Sequence, residues 1–250
     1  MRDAARVGAL VLLVAFAGCG GSDSPAAKPP SRGAIVHFRA QDGVRLAGRS
    51  FGSGPVAVVL SHMGRGGDSQ VDWYPAAREL AAEGYWALTY NRRGVCWDAA
   101  EGCSRGVDDL AQSWKDVVGA YRYARGHGAD RVVLVGASVG AMSSLFAAAH
   151  MKLDIDGLVE VGGINNASGY AFTMRDLARI DGAKLFVSSA GDIYGGADAA
   201  RQWHRWARPP KQLVILKGSE HGTDMLRAGS ATRARLLSLI REFVRRRAAI

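Results

Sequence analysis

One stretch of this chain has the residue types and spacing for nucleophilic catalysis. In Gly136-Ala137-Ser138-Val139-Gly140 a serine stands between the apolar, β-branched run RVVLV (131–135) and the alanine-rich, helix-prone segment AMSSLFAAAH (141–150). That is the pattern of a strand, a sharp turn and a helix. A serine on such a turn has a strained backbone, and only glycines two positions either side leave room for it. The hydroxyl then projects above the sheet, and the amide of Val139, opening the helix, can donate to an oxyanion with help from the helix dipole. A second match to the same expression, Gly102-Cys103-Ser104-Arg105-Gly106, follows CWDAAE, which cannot make a buried strand. Ser138 is therefore the expected nucleophile and Ser104 an ordinary turn residue.

The rest of the chain must supply a scaffold for that turn. Alternation around Gln41-Asp42-Gly43 predicts a hairpin of strands over 34–40 and 44–50, and PVAVVLS (55–61) reads as a strand buried on both faces. Further strands are expected over 85–90, 131–137, 155–161, 184–189 and 211–216. Helical patterns fall over 73–83, 107–125, the alanine-rich segment, a short piece at 172–180, 195–207 and 224–247. Strands alternating with helices argue a parallel sheet covered on both faces, in one domain over 34–250. The short span between the strands at 155–161 and 184–189 leaves no room for a large lid.

In order of elements and motifs, residues 34–249 resemble the α/β-hydrolase superfamily, and specifically its small, lidless esterase or dienelactone-hydrolase-like members. The resemblance implies an α/β fold with a mostly parallel eight-stranded sheet flanked by helices. It also implies a triad in the order serine, acid, histidine, with the acid after the seventh strand and the histidine after the eighth. Here Asp192 in Ala190-Gly191-Asp192 and His221 in Gly218-Ser219-Glu220-His221-Gly222 stand in those places. His221 would take the Ser138 proton, and Asp192 would orient the imidazole and stabilise the imidazolium. Asp198 and Asp224 read instead as helix residues.

His62-Met63-Gly64 resembles the family's His-Gly-x stretch, with methionine in place of the first glycine, and implies a second oxyanion donor at Gly64, or at Met63, beside Val139. His62 is expected to brace this loop. Asn91-Arg92-Arg93-Gly94 resembles the family's Asp-x-Arg-Gly loop, which implies a scaffold role for arginine. Tryptophans 73, 97, 203 and 206 are candidates for an apolar acyl pocket as well as for the core.

The first eighteen residues carry Arg2 and Arg6, an apolar run of twelve from Val7 to Gly18, then small residues, which is a secretory signal too short to span a bilayer. Ala15-Phe16-Ala17 suits an ordinary signal peptidase. Val14-Ala15-Phe16-Ala17-Gly18-Cys19 resembles a bacterial lipobox with phenylalanine where leucine is usual, making Cys19 the lipidated first residue. The tether that follows (19–33) and the cysteine count favour the lipobox, since with Cys19 acylated the remaining two, Cys96 and Cys103, can form a disulfide. The expected location is the extracytoplasmic side of a bacterial membrane, with soluble secretion the alternative.

Of the net charge of +9, +5 lies in the last twenty residues, which hold six arginines and one glutamate. No interleaving of aromatic and basic residues and no zinc spacing accompanies it, so a solvated helix face near an anionic membrane is expected and not nucleic-acid binding. No metal and no cofactor is implied. The expected activity is hydrolysis of a small-molecule carboxylic ester, with a thioester or peptide open to the same machinery. The alternative is a catalytically silent lipoprotein using the fold as a binding module.

Overall fold

The computed structural model describes Met1 and residues 33–96 and 102–249. Residues 2–32, which hold the rest of the expected signal segment, Cys19 and all of the expected tether but Gly33, lie outside the described residues, as does Trp97. Eight strands form one sheet: β1 (Ala34–Arg39), β2 (Arg45–Phe51), β3 (Val56–Ser61), β4 (Trp86–Tyr90), β5 (Arg131–Ala137), β6 (Gly157–Val161), β7 (Ala183–Ser189) and β8 (Lys211–Leu216). Their order is β1-β2-β4-β3-β5-β6-β7-β8, with β1/β2 and β2/β4 antiparallel and the remaining pairs parallel.

Among the described residues six helices accompany the sheet: α1 (Tyr74–Ala82), α2 (Trp114–Gly126), α3 (Val139–His150), α4 (Met174–Ala178), α5 (Gly196–Trp206) and α6 (Arg233–Ala248). Successive strand residues point to opposite faces, so each central strand feeds two cores. Val59, Leu134 and Leu158 pack with Val117, Leu145 and Trp203 of α2, α3 and α5. Val58, Val133 and Leu185 pack with Leu80 of α1 and with Leu236 and Ile240 of α6. Two-sided burial is why β3 reads as an apolar run, and β4 and β7 are likewise buried along their whole length. Trp73 and Trp203 are fully buried, one in each core, and neither lines the cavity at Ser138.

Two expected helices are shorter than their periodicity suggests. The one expected over 107–125 begins at Trp114 after a 3-10 turn at Leu110–Gln112. Asp108 is drawn off to pair with Arg92, and Asp109 caps the 3-10 turn by accepting from the Ala111 amide. The closing helix expected over 224–247 is split, because Arg227 is extended and Gly229 takes a left-handed φ of 85°. A 3-10 turn occupies Gly222–Leu226, and α6 starts only at Arg233.

A charged cluster locks the loop after β4 to its neighbours. The Arg93 guanidinium donates to Asp116 of α2 (2.7 and 2.9 Å) and to Asp42 in the β1–β2 turn (2.9 and 3.1 Å), while its backbone N–H also donates to Asp116 (2.8 Å). Asp116 is completely buried, so removing its partner strands a charge away from water. Arg93→Met is expected to lower unfolding free energy by about 3–5 kcal/mol, and Arg93→Met with Asp116→Leu to recover most of that. Chemical denaturation of the two variants tests this; equal losses in both would mean the charge is not what matters.

Cys96 and Cys103 are disulfide-bonded. The arms beside them pair through Ser104 N–H to Val95 O (3.1 Å) and Gly94 N–H to Arg105 O (3.0 Å). Ser104, the serine of the second Gly-x-Ser-x-Gly match, is buried here, donating to Asn91 O (2.6 Å) and accepting from Ala47 N–H (2.9 Å).

Candidate active site

Ser138 sits between β5 and α3 with φ 51° and ψ −117°, a conformation that costs a non-glycine residue about 1–3 kcal/mol. Its neighbours show why the flanking residues are glycine. A Cβ on Gly136 would lie 2.3 Å from Gly140 O, and one on Gly140 would lie 2.3 Å from Ser61 O at the end of β3. The Ser138 amide donates to Val161 O (3.0 Å), fixing the turn to the end of β6. Val139 is the first residue of α3, so its N–H has no partner within the helix.

Asp192 follows β7 and His221 follows β8, both at the same sheet end as Ser138. His221 Nδ1 and Asp192 Oδ2 are 2.8 Å apart, with the carboxylate shielded from solvent and the imidazole 10% exposed. A carboxylate only accepts, so Nδ1 carries the proton and Nε2 is left as an acceptor. Asp192 Oδ1 accepts from Tyr194 N–H (3.0 Å), which fixes the rotation of the carboxylate. Gly196 makes room for it, since a Cβ there would lie 2.4 Å from Oδ2. Ser138 and His221 line one cavity of about 190 Å3 with Met63, Gly64, Val139 and Tyr194. A Cβ on Gly222 would lie 3.7 Å from Ser138 Cβ, so the residue after His221 abuts the serine.

The loop 62–64 is held from behind. Arg92 N–H donates to His62 Nε2 (3.1 Å), which puts the ring proton on Nδ1, and Nδ1 then donates to Met63 O (2.8 Å). Arg92 Nη1 donates to the same carbonyl (2.6 Å), and Arg92 is itself paired with Asp108. In a trans peptide the N–H points opposite to the C=O. Two donors on Met63 O therefore turn the Gly64 N–H away from Arg92, toward the cavity side. Gly64 packs so closely on Val139 that a Cβ would lie 2.8 Å from its Cγ1.

Burial, followed by the nearby Arg92 charge, pushes the His62 imidazole down to about 3. An unfolded chain binds a proton at this histidine near its ordinary value, so between about pH 6.5 and 3 the unfolded state holds more protons than the folded one. Stability from this site is complete above that range and falls as the pH drops, by about 1.4 kcal/mol per unit. The His62 ring resonances are expected to stay those of a neutral imidazole at pH 5. Titration of that ring near pH 6 in the folded protein would contradict the arrangement.

Three features near the site had no clear signal in the sequence. Glu160, on β6, is completely buried; its Oε1 accepts the Gly163 N–H, and burial, with the Asp192 charge adding to it, raises its carboxyl well above the usual range. Arg65 makes a two-pronged contact with Asp224 (2.8 and 2.9 Å) and lines the cavity at Ser138. Tyr194 places its ring 4.6 Å from that of His221. Among the described residues no group of three His, Cys, Asp or Glu is arranged to hold a metal ion. A larger cavity, about 670 Å3, lies at the far end of α3 beside Lys152 and Arg179 and touches none of these side chains.

No protein-family model and no curated protein matches this chain. Solved structures do. The esterase Pf2001 of Pyrococcus furiosus superposes with a TM-score of 0.71 at 14% identity, over 85% of this chain and 92% of that one. Est1E of Butyrivibrio proteoclasticus, solved with ferulic acid, gives 0.68 at 15% identity over 86% and 100%. A thermophilic esterase of Thermogutta terrifontis gives 0.66 at 16% over 86% and 99%. The chain has the α/β-hydrolase fold, without a large lid.

Proposed function

We propose that this protein is a serine hydrolase of carboxylic esters. The reading rests on one observation above all: the 2.8 Å contact between His221 and Asp192 stands over the same cavity as a serine on a strained, glycine-flanked turn. Ser138 Oγ attacks the substrate carbonyl while His221 Nε2 takes its proton, and the amides of Val139 and Gly64 receive the oxyanion. The alcohol leaves with that proton, and water releases the acyl group by the same steps in reverse order. The orientation of the Met63 carbonyl favours Gly64 over Met63 as the second donor. The esterase structures that share the fold support an ester; a thioester or peptide would use the same groups.

The same proposal places the protein outside the cytoplasm, held to a membrane by lipid on Cys19, with residues 1–18 removed and 19–33 as the tether. The two cysteines of an oxidised pair at Cys96 and Cys103 suit that compartment.

A fluorophosphonate probe tests the chemistry: Ser138 Oγ displaces fluoride and keeps the phosphonyl group. The wild type is expected to be labelled and Ser138→Ala not. A wild type that stays unlabelled and turns over no ester would instead indicate a binding module.

A further inference from the structure

We propose that Tyr194 is the specificity-determining residue of this site, walling a small, mostly apolar cleft for a short acyl group off from two outer cavities with charged side chains in their walls, one of which takes a polar alcohol. The inference rests on the serine-hydrolase reading and adds the substrate class to it.

Tyr194 is the residue that three cavities share. The inner one, about 190 Å3, lies between Ser138 and the apolar side chains of Met63, Leu110, Val139 and Ile164, with Arg65 and Ser168 also in its wall. A second, about 490 Å3, lies over His221 and is lined by Arg65, Ser219, Glu220, Asp224 and Arg227 together with Ile193. The third, about 420 Å3, lies beyond Ile164 beside Asn165, Asp198, Arg201 and Gln202. The tyrosine is half exposed, and Ile193 before it is more exposed still, at 87%. A large ring left at the surface between cavities is placed to touch a ligand.

The backbone that carries the ring is anchored, and the ring lies 4.6 Å from that of His221. The Tyr194 amide is bonded to Asp192 Oδ1, and the chain then turns through Gly195 at φ 85° into Gly196, which is packed against Asp192 itself. The residue that carries the wall is thus tied at its backbone to the acid that orients His221.

The chemistry assigns the occupants. The departing alcohol must collect its proton from His221 Nε2, so it leaves on the histidine side, where the walls are charged and hydroxylated. The acyl group, bonded to Ser138, extends the other way. There the inner cleft has about the volume of six liquid waters, and Tyr194, with Ile164, stands between it and the third cavity. The substrate is therefore a short-chain acyl ester of a polar alcohol.

The test compares kcat/KM of the purified full chain on p-nitrophenyl acetate, butyrate, octanoate and dodecanoate for wild type, Tyr194→Phe and Tyr194→Ala. The wild type is expected to prefer butyrate over octanoate by at least about tenfold. Tyr194→Ala should shrink that ratio at least about tenfold by opening the cleft, and Tyr194→Phe should keep it. Because each ratio is taken within one variant, a general loss of activity cancels. Butyrate esters of glycerol and of hexanol probe the alcohol side, with the glycerol ester expected to be favoured at least about fivefold. An unchanged ratio in Tyr194→Ala, an equal change in Tyr194→Phe, a wild-type preference for octanoate, or a preference for the hexyl ester overturns the inference while the hydrolase reading stands. A wild type with no ester turnover and no fluorophosphonate label overturns both.

Discussion

Ser138→Ala is expected to lower kcat on any ester the wild type cleaves by about 10,000-fold to 1,000,000-fold, with little change in unfolding free energy. The two halves of that expectation have separate causes. Loss of Oγ removes the atom that forms the acyl-enzyme, and His221 then has no proton to take. What remains is the binding and oxyanion stabilisation that the Val139 and Gly64 amides give to attack by water. The fold is indifferent because alanine keeps the Cβ. The backbone at φ 51° and ψ −117° is as strained for alanine as for serine, and only glycine relieves it. Ser138→Gly should therefore be equally inactive but more stable than the alanine variant by about 1–3 kcal/mol. Adding His221→Ala to Ser138→Ala should cost almost nothing more, since the two act as one unit. Steady-state kinetics and denaturation of the three variants test this, and a Ser138→Ala protein within tenfold of wild-type kcat would remove Ser138 from the reaction.

Why this serine could be read from the sequence and other parts of the site could not is a matter of what each depends on. The turn at Ser138 is a local demand: two glycines are forced by backbone approaches of 2.3 Å, and a buried strand and a helix must flank it, so the demand is written in consecutive residues. Asp192 and His221 are nearly as local, each lying a few residues past an apolar strand whose neighbours in the sheet follow from a parallel, alternating fold. The hold on Met63 O is different. It depends on the direction of a single carbonyl and on an arginine about thirty positions away, so His62-Met63-Gly64 by itself left two amides open. Glu160 sits in a strand pattern at a position that is buried on both sides of the sheet, where a carboxylate is not expected. Its partner is the amide of Gly163, formed only once the chain turns. Tyr194 reads as a surface loop residue until three cavities are seen to meet at it. The helix expected over 107–125 loses its first turns for a related reason: periodicity continued through Asp108, but Arg92 offered that carboxylate a better partner.

Asp192→Asn is expected to cost about 10,000-fold in kcat with the fold intact, and the surroundings of the carboxylate say why the isosteric change is so damaging. Oδ1 accepts from the Tyr194 amide, whose proton can only be donated. In the variant that position must therefore hold the amide oxygen. The NH2 group is then forced into the place of Oδ2, 2.8 Å from His221 Nδ1, where a donor now faces the ring. To accept that bond Nδ1 gives up its hydrogen, the tautomer flips, and the proton sits on Nε2, which can no longer take one from Ser138. Rotating the amide back would set the NH2 against the Tyr194 N–H, two donors in contact. Ser188 Oγ, 3.4 Å from Oδ2, cannot rescue the base, because it does not reach the ring's role. Glu160 is a second carboxyl within reach of this acid's charge; burial raises it well above the usual range, and one of its oxygens is committed to Gly163. If Asp192→Asn kept activity within tenfold of wild type and the further change Glu160→Gln then removed it, the orienting acid would be Glu160; if Asp192→Asn alone abolishes turnover while leaving the denaturation midpoint near that of the wild type, the tautomer argument holds.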